Sequence, residues 1–266
     1  MTAIIEVHGL TKHFGEHTAV NGVSFEVERG EVFGLLGPNG AGKSTTIKML
    51  TTLLPPNSGE AHVNGFDIWR QKADVRRSIG YVPQALSADG NLTGYENLLL
   101  FAKLYDIPRA LQKERVHYAL SFVGLSEAAN KLVQRYSGGM IRRLEVAQSL
   151  LHRPRVLFLD EPTVGLDPVA RQAIWDHLTR LRDETDMTIF LTTHSMEEAD
   201  SLCSRVGIMH RGNIVALDTP DNLKATVGGE HTTLNDVFVY YAGDALETGG
   251  SYRETAKARR TARRLG

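Results

Sequence analysis

The eight-residue run GPNGAGKS at positions 37–44 constrains the fold more than any other feature of the sequence, because it matches the pattern G-x-x-x-x-G-K-[ST]. An apolar stretch at 32–36 precedes it, and a helical pattern at 43–52 follows it. Glycines let the backbone turn its N–H groups inward, which forms a concave anion site at the positive end of the helix. In such a loop Lys43 reaches the β- and γ-phosphates of a nucleotide, and Ser44 offers its hydroxyl to Mg²⁺.

A glycine-rich turn with a chance lysine is the alternative interpretation of this run. The strand pattern before it and the helical pattern after it argue against that alternative. The sequence therefore predicts a phosphate loop whose nucleotide-binding residues are Gly37, Pro38, Asn39, Gly40, Ala41, Gly42, Lys43, Ser44 and Thr45.

A second element of the same chemistry is the run VLFLDE at 156–161. Four apolar residues predict a buried strand that carries Asp160 to the phosphate edge of the sheet, where its carboxylate can hold Mg²⁺ through a water. Neighbouring strand residues point to opposite faces, so Glu161 can share that site only if the strand ends there, as Pro162 indicates. Glu161 is then the candidate to orient or deprotonate an attacking water. The alternative interpretation, which would be reasonable if the phosphate loop were absent, is that both acids are solvated residues at a strand end.

Composition excludes several classes of protein. The chain has 266 residues, enough for one large domain or two lobes, and its net charge of −1 gives no reason to expect nucleic-acid binding. The single cysteine, Cys203, cannot form an internal disulfide, which favours a reducing compartment. The first ten residues do not resemble a secretory signal, and no apolar run approaches the roughly 18 residues that span a bilayer.

Hydrophobic periodicity predicts an α/β fold. Strands are predicted at 4–7, 23–27, 32–36, 61–63, 79–82, 156–159, 188–192, 206–209 and 214–217. Helices are predicted at 43–52, after a capping box at Thr93, at 109–122, 127–134, 138–152 and 168–184, and after Ser195, with a helical piece between 63 and 79. The order is a sheet, a helical lobe at about 86–154, and the same sheet resumed. Residues 253–266 differ, since they hold six basic side chains and one acid.

Six short motifs occur in a fixed order: the phosphate loop, YVPQ ending at Gln84, SGG at 137–139, LDEP at 159–162, GLDP at 165–168 and TTHS containing His194. Together they resemble the ATP-binding cassette (ABC) proteins over nearly residues 1–241. The resemblance implies a P-loop NTPase core of the RecA-like type, with an N-terminal antiparallel β subdomain and an inserted α-helical subdomain. The ABC domain would cover 1–242 and the basic tail 243–266.

The resemblance also implies residue roles. Glu161, His194, Gln84 and Lys43 would be catalytic, Phe14 would stack on adenine where relatives usually carry tyrosine, and Asp167 would contact an opposite subunit. Ser44, Gln84 and Asp160 would serve Mg²⁺. Ser137, Gly138, Gly139 and Met140 would form the signature that faces the ATP of a second copy, with Met140 in place of the usual glutamine. Taken alone, SGG is explained by a turn, Gln84 by a loop and Phe14 by a core aromatic.

Within the family, the SGGM variant, the continuation RRLEVAQSLLHRP and the segment TLNDVF at 233–238 are similar to the nucleotide-binding subunits of daunorubicin-resistance-type exporters. The resemblance implies a homodimer that binds ATP and Mg²⁺ at the cytoplasmic face of the membrane and drives a separate integral-membrane permease. The basic tail could contact anionic lipid or form a solvated helix. The alternative is a soluble cassette ATPase that acts on nucleic acid or the ribosome. A GTPase would carry an N-K-x-D run that recognises the base. The only candidate, NK at 130–131, is followed by LV and so lacks the aspartate.

Overall fold

A computed structural model describes residues 3–228 and 231–244. The basic tail predicted at 253–266 lies outside the described residues. The described chain contains two β-sheets with helices around them, so the α/β prediction is confirmed.

The first sheet has four antiparallel strands in the order β2-β1-β4-β5. They are β1 (Ala3–Phe14), β2 (His17–Glu28), β4 (Ser58–Val63) and β5 (Phe66–Asp67). Strands β1 and β2 are longer than predicted and change register at several points, where bulges twist the pair. Alternate side chains such as Ile5 and Val7 are buried against the core.

The second sheet has six strands in the order β10-β9-β3-β8-β7-β6. They are β3 (Val32–Leu36), β6 (Ile79–Val82), β7 (Val156–Asp160), β8 (Thr188–Thr193), β9 (Arg205–His210) and β10 (Asn213–Asp218). Every pair is parallel except β9 with β10. Strands β3, β7 and β8 are buried at every residue, because both faces of the sheet are covered. This explains why their sequences are continuous rather than alternating apolar runs.

Nine α-helices pack on these sheets in the described ranges. They are α1 (Lys43–Leu50), α2 (Lys72–Ser78), α3 (Gly94–Leu104), α4 (Arg109–Phe122), α5 (Gly138–Leu150), α6 (Pro168–Glu184), α7 (Met196–Leu202), α8 (Pro220–Val227) and α9 (Leu234–Asp244). Helices α3, α4 and α5 lie between β6 and β7 in the chain, although those two strands are hydrogen-bonded neighbours. The helical lobe is therefore inserted into an otherwise continuous sheet.

Side-chain caps begin α3, α5 and α6, whereas α1 begins after Gly42 without one. The Thr93 hydroxyl accepts a hydrogen bond from the Glu96 N–H, and the Glu96 carboxylate accepts one from the Thr93 N–H, so the predicted capping box is present. Ser137 caps α5 and Asp167 caps α6 in the same way. These caps fix where each motif passes from loop into helix.

The helix predicted at 127–134 is wrong. The segment instead holds two 3₁₀ turns, Ser126–Ala128 and Val133–Arg135, with an isolated antiparallel bridge from Leu132 to Thr93 between them. The Tyr136 hydroxyl donates to the Ala128 carbonyl at 2.7 Å, and the Gly94 N–H donates to the Lys131 carbonyl at 3.3 Å. Contacts to the start of α3 thus take the backbone groups that a helix would use internally.

Two hydrophobic clusters lie on the two faces of the six-stranded sheet. One packs the sheet against α3 to α9, and the other packs it against α1 and the antiparallel sheet, around stacked Phe33 and Phe190. Cys203 is buried against Gly34, where a Cβ would lie 2.5 Å from the Cys203 Sγ. None of the helices in the described ranges is long and apolar enough to cross a membrane.

Candidate functional site

The phosphate loop is wedged against two strands of the core. A Cβ placed on Gly37 would lie 2.2 Å from the Met209 carbonyl oxygen, and one on Gly42 would lie 2.4 Å from the Ala19 carbonyl oxygen. Gly42 also has a φ of 109°, which L side chains rarely adopt. Glycine is therefore required at both ends of the loop by close backbone contact, apart from any ligand.

Lys43, the first residue of α1, points back into the concavity of the loop. Its Nζ donates to the carbonyl oxygens of Gly37 at 2.8 Å and Pro38 at 3.1 Å. The same Nζ lies 3.1 Å from the Glu161 Oε1, and both side chains are almost fully buried. This buried ammonium is the positive charge at the centre of the site.

Ser44 and Asp160 bring two oxygen donors together. The Ser44 hydroxyl donates to Asp160 Oδ1 at 3.0 Å, and the Thr192 hydroxyl donates to the same oxygen at 2.6 Å. Asp160 ends β7 and is 2% exposed. The second hydroxyl, from the neighbouring strand β8, holds the carboxylate in place.

Glu161 follows Asp160 with a φ of 50°, in the left-handed region. Its N–H donates to the carbonyl oxygen of Thr192 at 3.1 Å, so the backbone turns out of the strand at that residue. A continuing strand would direct the carboxylates of Asp160 and Glu161 to opposite faces of the sheet. Because the strand ends here, both carboxylates lie at the carboxyl end of β7. The strand ends where Pro162 indicated.

Three predicted catalytic side chains meet at the Glu161 carboxylate. Besides Lys43 on Oε1, the Gln84 Nε2 donates to Oε2 at 3.3 Å, and the His194 Nδ1 lies 3.2 Å from the same oxygen. Glu161 is buried, whereas the His194 side chain is 48% exposed. The cluster can position a water and accept its proton.

The donor set fits a hard divalent cation that is shared with a nucleotide. In residues 3–228 and 231–244, no three His, Cys, Asp or Glu side chains are arranged to hold a metal ion unaided. The Ser44 hydroxyl and Asp160 carboxylate supply oxygen ligands of the kind Mg²⁺ prefers, and phosphate oxygens and water would complete its shell.

Phe14 is the last residue of β1 and its ring is 50% exposed. The Lys12 ammonium lies 5.6 Å from the ring centroid and donates to the Pro55 carbonyl oxygen at 2.7 Å. An exposed aromatic ring supported by a cation can stack on a base. The interpretation of Phe14 as a core aromatic is wrong, because half of the side chain is open to solvent.

The signature residues form a second group at the start of α5. The Ser137 hydroxyl accepts the Met140 N–H at 3.3 Å, and Ser137 and Gly138 are exposed. A Cβ on Gly138 would lie 3.8 Å from Leu166, but one on Gly139 would lie 2.7 Å from the Ala170 Cβ. The Asp167 carboxylate accepts the Ala170 N–H at 2.9 Å. The signature therefore packs beside the start of α6, and the partly buried Met140 packs on the core.

Sequence reasoning missed three polar residues of the site. Thr192 holds Asp160, and Arg142 and Glu145 form a buried pair beside Gln84. Thr192 lay at the end of a predicted strand with no distinguishing pattern. Arg142 and Glu145 are three apart on a predicted helix, a spacing typical of a solvated ion pair, and nothing in the sequence showed that the pair is buried.

Comparison with known proteins decides the family. The ABC transporter family profile matches residues 20–164. The chain belongs to the ABC transporter family. It is an ATP-binding subunit of that family and an ATPase, and such subunits work with a membrane permease.

Named relatives of this ABC subunit include drug-resistance proteins. The linearmycin resistance ATP-binding protein LnrL of Bacillus subtilis is 41% identical over 85% of this chain and 73% of its own length. The daunorubicin/doxorubicin resistance protein DrrA of Streptomyces peucetius is 44% identical over 85% of this chain and 68% of its own. The match to the probable multidrug protein YbhF of Escherichia coli, 41% identical, covers 91% of this chain but only 42% of YbhF.

Solved structures agree with the fold. A structure described as the ATP-binding subunit of an ABC transporter superposes with a TM-score of 0.80 at 29% identity, covering 90% of this chain and 99% of that one. CbiO1 of Clostridium perfringens, part of the transporter complex cbiONQ, gives a TM-score of 0.77 at 29% identity over 84% of this chain and 91% of its own. The P-loop core with an antiparallel β subdomain and an inserted helical subdomain is thus the fold of an ABC ATPase.

Proposed function

We propose that this subunit hydrolyses ATP at two sites shared between two copies of the chain, and that closure of this homodimer drives export of a drug-like or hydrophobic compound through a separate permease. The export of such compounds is suggested by the names of relatives, which include resistance to linearmycin and to daunorubicin/doxorubicin. The observation that carries the enzymatic part is the meeting of Lys43, Gln84 and His194 at the Glu161 carboxylate.

In this proposal Glu161 orients the attacking water and accepts its proton as the water oxygen bonds to the γ-phosphorus. The bond from the γ-phosphorus to the bridging oxygen breaks, and that oxygen leaves with ADP. Lys43 leaves the carbonyl oxygens of its own loop to neutralise the β- and γ-phosphates, and His194 contacts the γ-phosphate. Gln84 helps to hold the water.

Ser44, Gln84 and, through a water, Asp160 would hold Mg²⁺, which would supply charge neutralisation to the phosphates. The backbone N–H groups of 37–45 would surround the phosphates, and the exposed ring of Phe14 would stack on adenine. The close approach of Gly37 and Gly42 to the core supports this arrangement, because it fixes the loop backbone at both positions.

The position of the signature supports the proposed homodimer. Ser137 and Gly138 are exposed at a capped helix N-terminus, which suits contact with phosphate oxygens, while Gly139 packs against Ala170 of α6 in its own chain. Each chain has one phosphate loop and one signature, so two antiparallel copies would complete two sites. Asp167, beside the signature, would contact the opposite copy.

The proposed location is the cytoplasmic face of the membrane, where the subunit would be held by its permease. The ABC domain would cover 1–242 and the tail 243–266. The six basic side chains of 253–266 suit anionic lipid, which vesicle binding by the full chain and by a chain ending at residue 249 would measure.

The variant Glu161→Gln tests the enzymatic proposal. Glutamine keeps the size of the side chain but cannot accept the proton of water, so we expect turnover to fall by about 100-fold or more. ATP binding should persist and, because hydrolysis no longer opens the dimer, an ATP-dependent dimer should accumulate in size-exclusion chromatography.

The matched control is Glu60→Gln, which changes an exposed acid of β4. It should retain wild-type turnover. ATPase activity of Glu161→Gln close to that of this control would contradict the role of Glu161.

A further inference from the structure

Helix α5 carries a buried ion pair within the first two turns from its signature end. The Arg142 guanidinium lies 3.0 Å from the Glu145 carboxylate, and each residue is 2% exposed. Removing two charges from water is energetically costly, and replacing such a pair by apolar side chains is often neutral or stabilising. Stability alone therefore does not explain the pair, and its contacts must be considered.

Those contacts are to the backbone on both sides of Gln84. Arg142 Nη1 donates to the Pro83 carbonyl oxygen at 2.6 Å, and Nη2 donates to the Gln84 carbonyl oxygen at 2.7 Å. The Glu145 carboxylate accepts hydrogen bonds from the N–H and the hydroxyl of Ser87. The planar fork of arginine is suited to holding two adjacent carbonyl groups at once. We call Arg142 and Glu145 the α5 clamp.

Further residues of α3 and α5 hold the segment that follows Gln84 to the helical lobe. The buried amide of Asn97 on α3 accepts the Asp89 N–H at 3.0 Å and donates to the Asp89 carbonyl oxygen at 2.9 Å. Gln148, one turn beyond Glu145, lies 3.5 Å from the same amide oxygen. The segment from Pro83 to Asp89 is thus fixed to the helical lobe along its length by buried side chains.

Gln84 has its backbone on the lobe and its side chain at the reaction site. Its carbonyl oxygen is held by Arg142, while its Nε2 donates to the Glu161 carboxylate at 3.3 Å. Burial lowers the pKa of Arg142, and the negative charges of Glu145 and Asp160 oppose that shift. The guanidinium therefore also interacts electrostatically with Asp160 at the end of β7. One residue therefore joins the lobe to the site.

We propose that Arg142 and Glu145 are positioning residues that set the distance of Gln84 from Glu161 and make it follow the signature end of α5. The signature and the clamp lie on one rigid helix, separated by about 6 to 10 Å of rise. Movement of Ser137 and Gly138 toward a second copy moves the Gln84 backbone with them. This inference rests on the proposed roles of Gln84, Glu161 and the signature.

The main test is the double variant Arg142→Met with Glu145→Leu in the full-length chain. It removes both charges together and roughly keeps the volume, so the midpoint of thermal unfolding should stay near wild type. Without the clamp we expect kcat for ATP to fall about 10- to 100-fold, because small misplacements of a reacting group cost that much. Binding of a fluorescent ATP analogue should change less than about twofold, since the clamp's hydrogen bonds go to Pro83, Gln84 and Ser87 rather than to the phosphate loop.

The control is Arg143→Met on the same helix. Arg143 Nη1 donates to the Val123 carbonyl oxygen at 3.0 Å, another backbone contact inside the lobe, but not to the Gln84 segment. It should keep wild-type kcat. A second variant, Arg142→Lys, keeps the charge but cannot hold both carbonyl groups, and we expect a smaller fall in kcat.

A double-mutant cycle with Gln84→Ala shows whether the clamp acts through Gln84. We expect the combined variant to be no slower than Gln84→Ala alone. If both clamp variants keep wild-type kcat while Gln84→Ala is slow, this inference is overturned and the proposed function stays intact. The same holds if the combined variant loses kcat by the product of the losses of the clamp variant and of Gln84→Ala. Wild-type kcat in Gln84→Ala would overturn the proposed role of Gln84 and the inference with it.

Discussion

At the scale of single residues, the conformation of Glu161 decides how the site is built. A non-glycine residue at positive φ costs on the order of 1 to 3 kcal/mol, and here the bond from its N–H to Thr192 maintains it. This left-handed backbone conformation places the Asp160 and Glu161 carboxylates together at one end of the sheet. Their adjacency and Pro162 predicted that the strand ends, but the left-handed turn depends on β8 and has no signal in the sequence.

His152 is a partly buried base whose titration should appear in stability. Its Nε2 lies 2.8 Å from the Ile79 carbonyl oxygen, and its ring stacks on Tyr105 with the centroids 3.9 Å apart. Burial lowers the pKa of His152, and the positive charge of Arg115 lowers it further. The folded protein therefore binds fewer protons than the unfolded chain, and stability is lost as pH falls below the ordinary value of about 6.5.

We expect His152→Gln to lose less unfolding free energy than the wild type between pH 7.5 and 5.5, measured by urea denaturation. His210, whose pKa is also lowered by burial, leaves a residual slope in both proteins. The control His8→Gln, on an exposed position of β1, should lose as much as the wild type. Equal losses in all three proteins would contradict the assignment to His152.

Among the helices and strands, those whose sequence signals lie within the element itself were predicted most closely. Strands β3, β7 and β8 and helices α4 and α6 carry their periodicity, caps and end signals within themselves, so they were predicted closely. The segment at 127–134 has a helical pattern, but its backbone bonds go to the start of α3, more than thirty residues earlier. Helices α8 and α9 were missed although Thr219 and Pro220 form a start signal for α8.

The α5 clamp was invisible for the same reason. Arg142 meets the carbonyl oxygen of Gln84 58 residues away in the chain, and helical spacing alone cannot distinguish that contact from a surface ion pair. The six motifs, in contrast, are short runs whose order identifies the family. A single sequence therefore revealed the residues of the site more readily than the residues that position them.

The packing of α5 on α6 separates the two signature glycines. A Cβ on Gly139 would press on Ala170, so Gly139→Ala should lower the free energy of unfolding by about 1 to 3 kcal/mol. Gly138→Ala has room beside Leu166 and should keep or slightly raise stability, since alanine favours helix over glycine. Chemical denaturation of the two variants measures the difference. Equal destabilisation by both would show that α6 does not set the requirement.

At the scale of the whole molecule, the proposed homodimer predicts complementation between two inactive variants. Glu161→Gln lacks the base, and Gly138→Asp blocks the signature with an acid that a helix N-terminus tolerates. A mixed dimer would join the intact base of one copy to the intact signature of the other. An equal mixture should recover up to about a quarter of wild-type ATPase activity if copies pair at random and sites act independently.

Each variant alone should remain inactive at the same total concentration, and fluorescent ATP analogue should still bind to both. If the mixture is no more active than the separate variants, the signature serves its own chain and the shared-site proposal fails. The measurement needs no permease, because it concerns only the pairing of ATP-binding subunits.

Cys203 lies against Gly34 at the base of the six-stranded sheet, and burial raises the pKa of its thiol well above its usual range. Thiol reagents act on thiolates that they can reach, so we expect the only cysteine of the chain to react slowly with maleimide dyes. The natural protein is therefore ready for site-specific labelling without first removing a cysteine. Val169, 81% exposed beside Asp167, is a place to add one. Fluorescence transfer between labelled copies would then follow closure of the dimer in real time.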